Sequence, residues 1–476
     1  MGHDCSFLTD LLDADQVGFD ATSREDHTTD MGTPSEDATQ PDAVVWPEST
    51  EDVSAVLAAA NERGVPVTPY AAGTSLEGNA APVHGGISLD LMRMNDVLDV
   101  RPEDFQIDVE PGVMGTTVDE TVASEGLFFP PLPSSGDIST IGGMIVNDAS
   151  GMQTVKYGEI HDWVLELEVV LADGSVVRAG SKAKKTSSGY NLVDLFVGSE
   201  GTLGVVTRAT LELEGRPEQI RGGRAVFPDL DSAAAAVSDA IQSGVDVARI
   251  ELLDELSGAI ATEHFGLDLP AAPIVFLEFH ANHGIEEEID FCETIFAAHD
   301  VVTFELADEA EMDELWQARR ELGLAVGSYD EDRDPIHAGD VTVPISKLPD
   351  VIRYAKELEA EHDMPIPCFG HVGDGNVHYL IMAEDDPESQ ALAEELYGEI
   401  VEYAIGLGGT ATGEHGVGLG KRPYMLLEHG EAGVAAMRRI KAAFDPNDIL
   451  NPGKMFPETV EEGRVDLDGV RADPDD

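Results

Sequence analysis

DAVVWPESTEDVSAVLAAANERGVPVTPYAAGTSLEGNA, residues 42–80, reads as a strand, an amphipathic helix, a second strand and then a glycine-rich loop. Thr50 and Glu51 open the helix and Gly64 ends it, the acidic first turn and terminal glycine that favour a short, well-bounded helix. The loop 71–80 follows the second strand at once. Glycines cluster twice more, in STIGGMIVNDASGMQTVKYG and in LFVGSEGTLGVVTRATLEL, each time between β-branched runs. Three separated glycine loops imply three places where the backbone closely approaches something else.

None of the loops is a dinucleotide fingerprint, which needs G-x-G-x-x-G between a strand and a helix. AAGTSLEG, IGGMIVNDASG and GSEGTLG all miss that spacing, and GLGKR at 418–422 lacks the first glycine and the final Ser/Thr of a P-loop. Backbone amides in glycine loops still form anion-cradling nests, so a pyrophosphate held without the Rossmann geometry is the physical alternative.

The chain has 476 residues, room for two or three domains, and its 42% hydrophobic content is enough for ordinary cores. Against 28 Lys and Arg stand 93 Asp and Glu, a formal net charge of −65 spread along the chain. Such a surface repels phosphate backbones and anionic lipid headgroups, which excludes nucleic acid as an electrostatic partner. Dispersed carboxylates at this density read as a halophile's protein, whose self-repulsion is tolerable where salt screens it. Cys5, Cys292 and Cys368 are isolated, which argues against an iron–sulfur cluster and a disulfide framework. No signal-peptide pattern or spanning apolar run is seen.

The pattern changes near EGRPEQIRGGR, residues 214–224. Beyond it, LDSAAAAVSDAIQSG and KLPDVIRYAKELEAEHDM read as helices between strands such as PIVFLEF and DVTVPIS, a mixed α+β layer. The expected organisation is an N-terminal segment 1–41, a ligand-binding domain 42–218, a second domain 219–457 and an acidic tail 458–476.

In FGHVGDGNVHYLIM, residues 369–382, His371 and His378 stand seven apart with Gly373, Asp374 and Gly375 between them. That spacing fits neither one helix face nor one strand face. A tight turn at the glycines would swing both imidazoles onto a common point, as a divalent metal site or as a hydrogen-bonded pair of core histidines. EHGVG at 414–418 offers a further carboxylate and imidazole in a glycine-rich loop, and WQARRELGL at 316–324 offers Arg319 and Arg320 where arginine is scarce. A guanidinium suits an α-carboxylate, although an arginine on a helix face is as readily paired with acidic neighbours.

PYAAGTSLEG, TIGGMIVNDASG, KYGEIHDWVLELEVVLADG and SSGYNLVDLFVGSEGTLGVVTRATL resemble the FAD-binding domain of the vanillyl-alcohol oxidase (PCMH) type, as in D-lactate dehydrogenases, D-2-hydroxyglutarate dehydrogenases and the flavin subunit of glycolate oxidase. The resemblance continues through FGHVGDGNVH, GGTATGEHGVGLGK and FDPNDILNPGKMF, from about residue 42 to 457. It implies an α+β fold, a two-subdomain FAD-binding domain followed by a mixed α+β substrate (cap) domain. It also implies that Ala72, Gly73, Thr74, Ser75, Leu76 and Gly78 form a first pyrophosphate loop, and that Thr140, Gly142, Gly143, Ser150, Gly151 and Tyr157 line a second. Gly201, Leu203, Gly204 and Val206 would pack around the adenine or ribityl end. Members with covalent flavin carry a His in the first loop; its absence here implies non-covalent FAD. Leu132 stands where relatives often have Asp.

By the same resemblance His371, His378 and Glu414 match the family's metal ligands, for zinc or manganese, and His415 its base; the α-carboxylate of such a substrate needs a cation, for which Arg319 is the candidate. The implied activity is FAD-dependent oxidation of a small D-2-hydroxy acid, D-lactate or glycolate. Relatives often carry Lys before the Asp of HAGDVTVP, where this chain has Ala338 and Gly339, and the hydroxyglutarate enzymes an Asn where this chain has Leu380 after Tyr379. Both departures disfavour D-2-hydroxyglutarate as the substrate. A non-catalytic FAD- and metal-binding subunit of a larger oxidase complex is the alternative from another class. Expected partners are the hydroxy acid and an electron acceptor (quinone, cytochrome, flavoprotein or a separate iron–sulfur subunit), in a homodimer that is cytoplasmic or peripheral to the inner face of the membrane.

Overall fold

The computed structural model describes residues 2–33 and 39–457; the acidic tail expected at 458–476 lies outside the described residues. The chain forms two compact units and passes between them four times. One unit holds the described residues up to Ser150, then Glu159–Arg216 and the chain from Glu414 onward; the other holds Gly151–Gly158 and Pro217–Gly413.

The first unit begins with a small sheet whose strands run in the order Val17–Gly18, Ala43–Val45, Ile87–Asp90, Val67–Tyr70. The helix Thr50–Arg63 connects two of its parallel strands. Its N-terminus is capped by Ser49, whose hydroxyl accepts from the Asp52 amide, and it stops at Gly64, which takes the left-handed φ of +62°. Its apolar face, Val53, Val56, Leu57 and Ala60, packs with Val67, Ile87 and Leu89 in one core. Leu8 and Leu12 of the N-terminal segment join that core, and so do Ile449 and Leu450 from the far end of the chain. Val67, on the edge strand, bridges Leu450 in parallel. A second, antiparallel sheet follows in the order Val97–Arg101, Gln106–Val109, Val205–Glu212, Val164–Val170, Val176–Gly180.

The second unit is built on a seven-stranded sheet in the order Thr303–Leu306, Gln219–Val226, Ile274–Ala281, Val247–Leu253, Cys368–Gly370, Asn376–Glu384, Arg333–Thr342. Each pairing in it is antiparallel. Phe276, Phe369, Leu380 and Met382 from the sheet pack with Ile260, Leu315, Trp316 and Leu322 from the helices Glu255–Phe265 and Glu309–Val326. Burying these large side chains contributes on the order of 1.5–3 kcal/mol each.

Candidate functional site

The three glycine loops meet in the first unit around one cavity, about 1360 Å³ of non-atom space including its open mouth. Ala72, Gly73, Thr74, Ser75 and Leu76 line it from the first loop, Thr140, Gly142, Gly143 and Ser150 from the second, Gly201, Gly204 and Val206 from the third. Absent side chains let the wall pack closely against the fold behind it. A Cβ on Gly142 would sit 2.6 Å from Pro111, and one on Gly204 2.4 Å from Val169. Hydroxyls tie the loops together, with Ser139 Oγ 3.1 Å from Thr74 Oγ1 and 2.9 Å from Ser135 Oγ. A roomy, largely preformed cavity walled by backbone suits a long, phosphate-bearing cofactor such as FAD.

Gly78, Gly151, Leu203 and Tyr157 are not on that wall. Gly78 takes φ +72° against Leu419, where a Cβ would fall 2.8 Å from the leucine's Cδ1. Leu203 is buried in the fold. Gly151 and Tyr157 belong to the second unit, where the Tyr157 hydroxyl lies 2.9 Å from His280 Nδ1.

Glu414 and His415 line the same cavity. Asn147 Nδ2 donates to the Glu414 carbonyl at 2.6 Å, and Ser150 Oγ donates to its carboxylate at 2.9 Å. Beyond His415 the loop is clamped by Glu200, whose carboxylate accepts from the amides of Val417 and Gly418 at 2.6 and 2.9 Å. Burial pushes the Glu200 carboxyl upward against these donors. Gly416 is required between the clamps, since a Cβ there would stand 2.7 Å from Asn147 Oδ1 and 3.0 Å from Glu200 Oε1.

In the second unit residues 372–375 form the turn that brings the histidines together. Gly375 takes φ +89°, the left-handed conformation that glycine alone adopts freely. His378 pairs across the sheet with Phe369 on one side and Asp340 on the other. The His371 and His378 rings end 5.1 Å apart, nearly perpendicular. His371 Nδ1 is held 2.6 Å from Glu251 Oε1, which fixes the orientation of the ring. Glu251 also accepts from Arg319 Nε at 2.7 Å. Burial alone would raise the Glu251 carboxyl, but the Arg319 guanidinium and His371 pull it below the usual range. Arg319 is 4% exposed, stacks over Phe369 at 4.9 Å, and buries an Nη2 that has no hydrogen-bond partner among the described residues. Arg320, one position on, is exposed.

Sequence reading did not find Glu251. Its signal was a lone carboxylate inside the apolar strand Val247–Leu253, a place where an acid persists only with a partner.

Asp148, Glu159 and His161 of the first unit also bring ligand atoms within 4.8 Å of one another. There Asp148, hydrogen-bonded to His161, lifts the imidazole to about 9, which favours the protonated ring at neutral pH and so opposes metal binding.

Residues 41–180 match the family described as "FAD binding domain", and residues 216–455 match "FAD linked oxidases, C-terminal domain". The chain is 38% identical over 421 residues to "Glycolate oxidase subunit GlcD" of Bacillus subtilis, covering 87% of this chain and 89% of that one. It is 38% identical over 422 residues to "Probable D-lactate dehydrogenase, mitochondrial" of Danio rerio, covering 87% of this chain and 84% of that protein. Among solved structures p-cresol methylhydroxylase with substrate bound superposes with a TM-score of 0.78 at 19% identity, over 94% of this chain and 95% of its own, and shares the fold. The expected two-domain α+β architecture with a PCMH-type FAD-binding domain is therefore the observed one. The chain belongs to the family of FAD-linked oxidases.

Proposed function

We propose that this chain oxidises a small D-2-hydroxy acid, D-lactate or glycolate, to the 2-oxo acid. Electrons would pass from FAD to a quinone, a cytochrome, another flavoprotein or a separate iron–sulfur subunit. The likeness to a glycolate oxidase subunit and to a probable D-lactate dehydrogenase supports the substrate class.

The observation that carries the reading is the pairing of His371 with His378 beside a buried Arg319 whose Nη2 is unmatched. His371, His378 and Glu414 are the proposed holders of a zinc or manganese ion, a donor set of two imidazoles and one carboxylate that leaves open positions. Glu414 follows directly in the chain on Gly413, whose amide donates to Asp340 at 2.8 Å, and Asp340 lies 3.8 Å from His378 Nδ1. When bound, FAD supplies the hydride acceptor and the metal a Lewis acid toward the substrate hydroxyl. Arg319 orients the α-carboxylate through its unmatched Nη2, with its position fixed by Glu251. His415, anchored by Asn147 and Glu200 on either side, takes the hydroxyl proton. The residues of the three glycine loops are the proposed flavin contacts, with Gly78, Gly151, Leu203 and Tyr157 proposed beside them from positions off the cavity wall.

A small substrate is favoured by sterics. The position before Asp340 is Gly339, and a Cβ there would lie 2.4 Å from the Tyr379 ring, so no longer side chain fits beside it to meet a distal carboxylate. Anaerobic titration of FAD-loaded protein with a panel of 2-hydroxy acids tests the reading. Bleaching of the flavin by D-lactate or glycolate is expected. Bleaching by D-2-hydroxyglutarate alone would change the substrate, and a flavin that stays oxidised with every acid would leave a non-catalytic subunit.

A further inference from the structure

We propose that residues 30–33, which precede the stretch matched by the FAD-binding family, form a strap that sets the amide donors of the first glycine loop for the diphosphate of FAD. The strap is laid on the outer side of the loop by main-chain bonds. The Met31 amide donates to the Gly73 carbonyl at 3.0 Å and the Gly32 amide to the Ser75 carbonyl at 3.0 Å. Asp30, 9% exposed, locks both strands of this contact. Its carboxylate accepts from the Ser75 hydroxyl, from the Ala80 amide at 2.9 Å, from the Thr33 hydroxyl at 2.6 Å and from the Gly32 amide at 3.2 Å. Gly32 is an obligate glycine here for want of space, since a Cβ would fall 1.9 Å from the Leu76 carbonyl carbon.

Peptide geometry turns this outer contact into an inner one. In a planar trans peptide the carbonyl of one residue and the N–H of the next point in opposite directions. With the Gly73 and Ser75 carbonyls committed to the strap, the N–H groups of Thr74 and Leu76 point away from it, and both residues line the cavity. Neither amide finds an acceptor among the described residues. A pair of unmatched amides on a cavity wall is the donor half of an anion nest. Asp30 is thus a positioning residue: it touches the loop, and the loop touches the phosphates. The proposal rests on FAD occupying the cavity and not on the identity of the substrate.

The test is flavin release and flavin affinity in the full chain carrying Asp30→Asn or Gly32→Ala. Asp30→Asn keeps the shape but turns an acceptor into a donor facing either the Ser75 hydroxyl and Ala80 amide or, with the amide flipped, the Gly32 amide and Thr33 hydroxyl; Gly32→Ala displaces the strap without altering charge. Both variants are expected to release FAD at least tenfold faster on dilution, read by recovery of flavin fluorescence. Binding of riboflavin, which has no phosphate, to the apoprotein should be unchanged. Release within twofold of the wild type, or an equal loss of riboflavin affinity, overturns the proposal. If either variant does not fold, hydrogen exchange on the wild-type apoprotein decides: protected Met31 and Gly32 amides are expected, and free exchange at both would mean that the strap does not hold the loop.

Discussion

Glu251 and His371, 120 positions apart in sequence, meet at 2.6 Å inside the second unit, and the other oxygen of the same carboxylate holds Arg319. One buried acid thereby aligns a proposed metal ligand and the proposed carboxylate anchor. Glu251→Gln keeps the volume and loses the charge, so turnover is expected to fall about 10–100-fold, the usual cost of losing a ligand's outer partner. FAD content should be unchanged, because Glu251 does not line the flavin cavity. Steady-state kinetics with the flavin spectrum as a control will check both halves.

Removal of metal gives a second expectation. Chelation should abolish turnover while the protein stays yellow, and readdition of zinc or manganese should restore it. His371→Ala should behave like the chelated protein and not respond to added metal. Full activity after verified metal removal would dismiss the metal set.

His415→Asn is expected to lower the limiting rate of flavin reduction by about 10²–10⁴, the range for loss of a general base, with little change in apparent substrate affinity. Stopped-flow absorbance at saturating D-lactate or glycolate reads the two separately. A weakened affinity with an unchanged limiting rate would make His415 a binding residue.

Asp108 in the first unit accepts from Arg101, Lys182, Arg208 and Thr210, and these partners hold its carboxyl well below the usual range despite its burial. Its folded value is depressed, so the stabilisation is present above about pH 4, the ordinary value for Asp, and is lost as pH falls below it. Asp108→Asn should cost about 3 kcal/mol at neutral pH, the low end for breaking a buried pair because Lys182 and Arg208 remain partly solvated. Denaturant melts at pH 7 and below pH 4 should show the gap between variant and wild type closing in acid.

The formal charge of −65 predicts that stability rises with salt, since screening lengths shrink from about 10 Å at 0.1 M to about 3 Å at 1 M. Thermal melts in low and molar KCl should differ, with the higher midpoint in KCl. Equal midpoints would mean that the carboxylates are neutralised locally.

What was legible in the sequence was local. The strand, helix and strand of 43–70 carry their own start and stop signals in Thr50, Glu51 and Gly64, the cap itself falling one position earlier on Ser49, and the turn before His378 is announced by Gly373 and Gly375. The glycine loops declared a ligand through motif order alone. What stayed hidden was long-range pairing: Glu251 beneath His371, the Tyr157 hydroxyl on His280, and the strap on the first loop. No local periodicity encodes a contact between residues a hundred positions apart, and the main-chain bonds of the strap leave only Asp30 and Gly32 as marks in side-chain type, with nothing in the sequence to say which loop they meet.

The parallel bridge between Val67 and Leu450 has a consequence for biosynthesis. The edge strand Val67–Tyr70 leaves the ribosome roughly 380 residues before the segment that covers it, a delay on the order of 20–80 s at ordinary elongation rates. Throughout that interval the nascent chain shows an open sheet edge beside an incomplete apolar core. The whole second unit is made in the meantime. A nascent chain of this kind is a natural client for chaperones, and the abundant like charge along it is the chain's own safeguard against sticking to its neighbours.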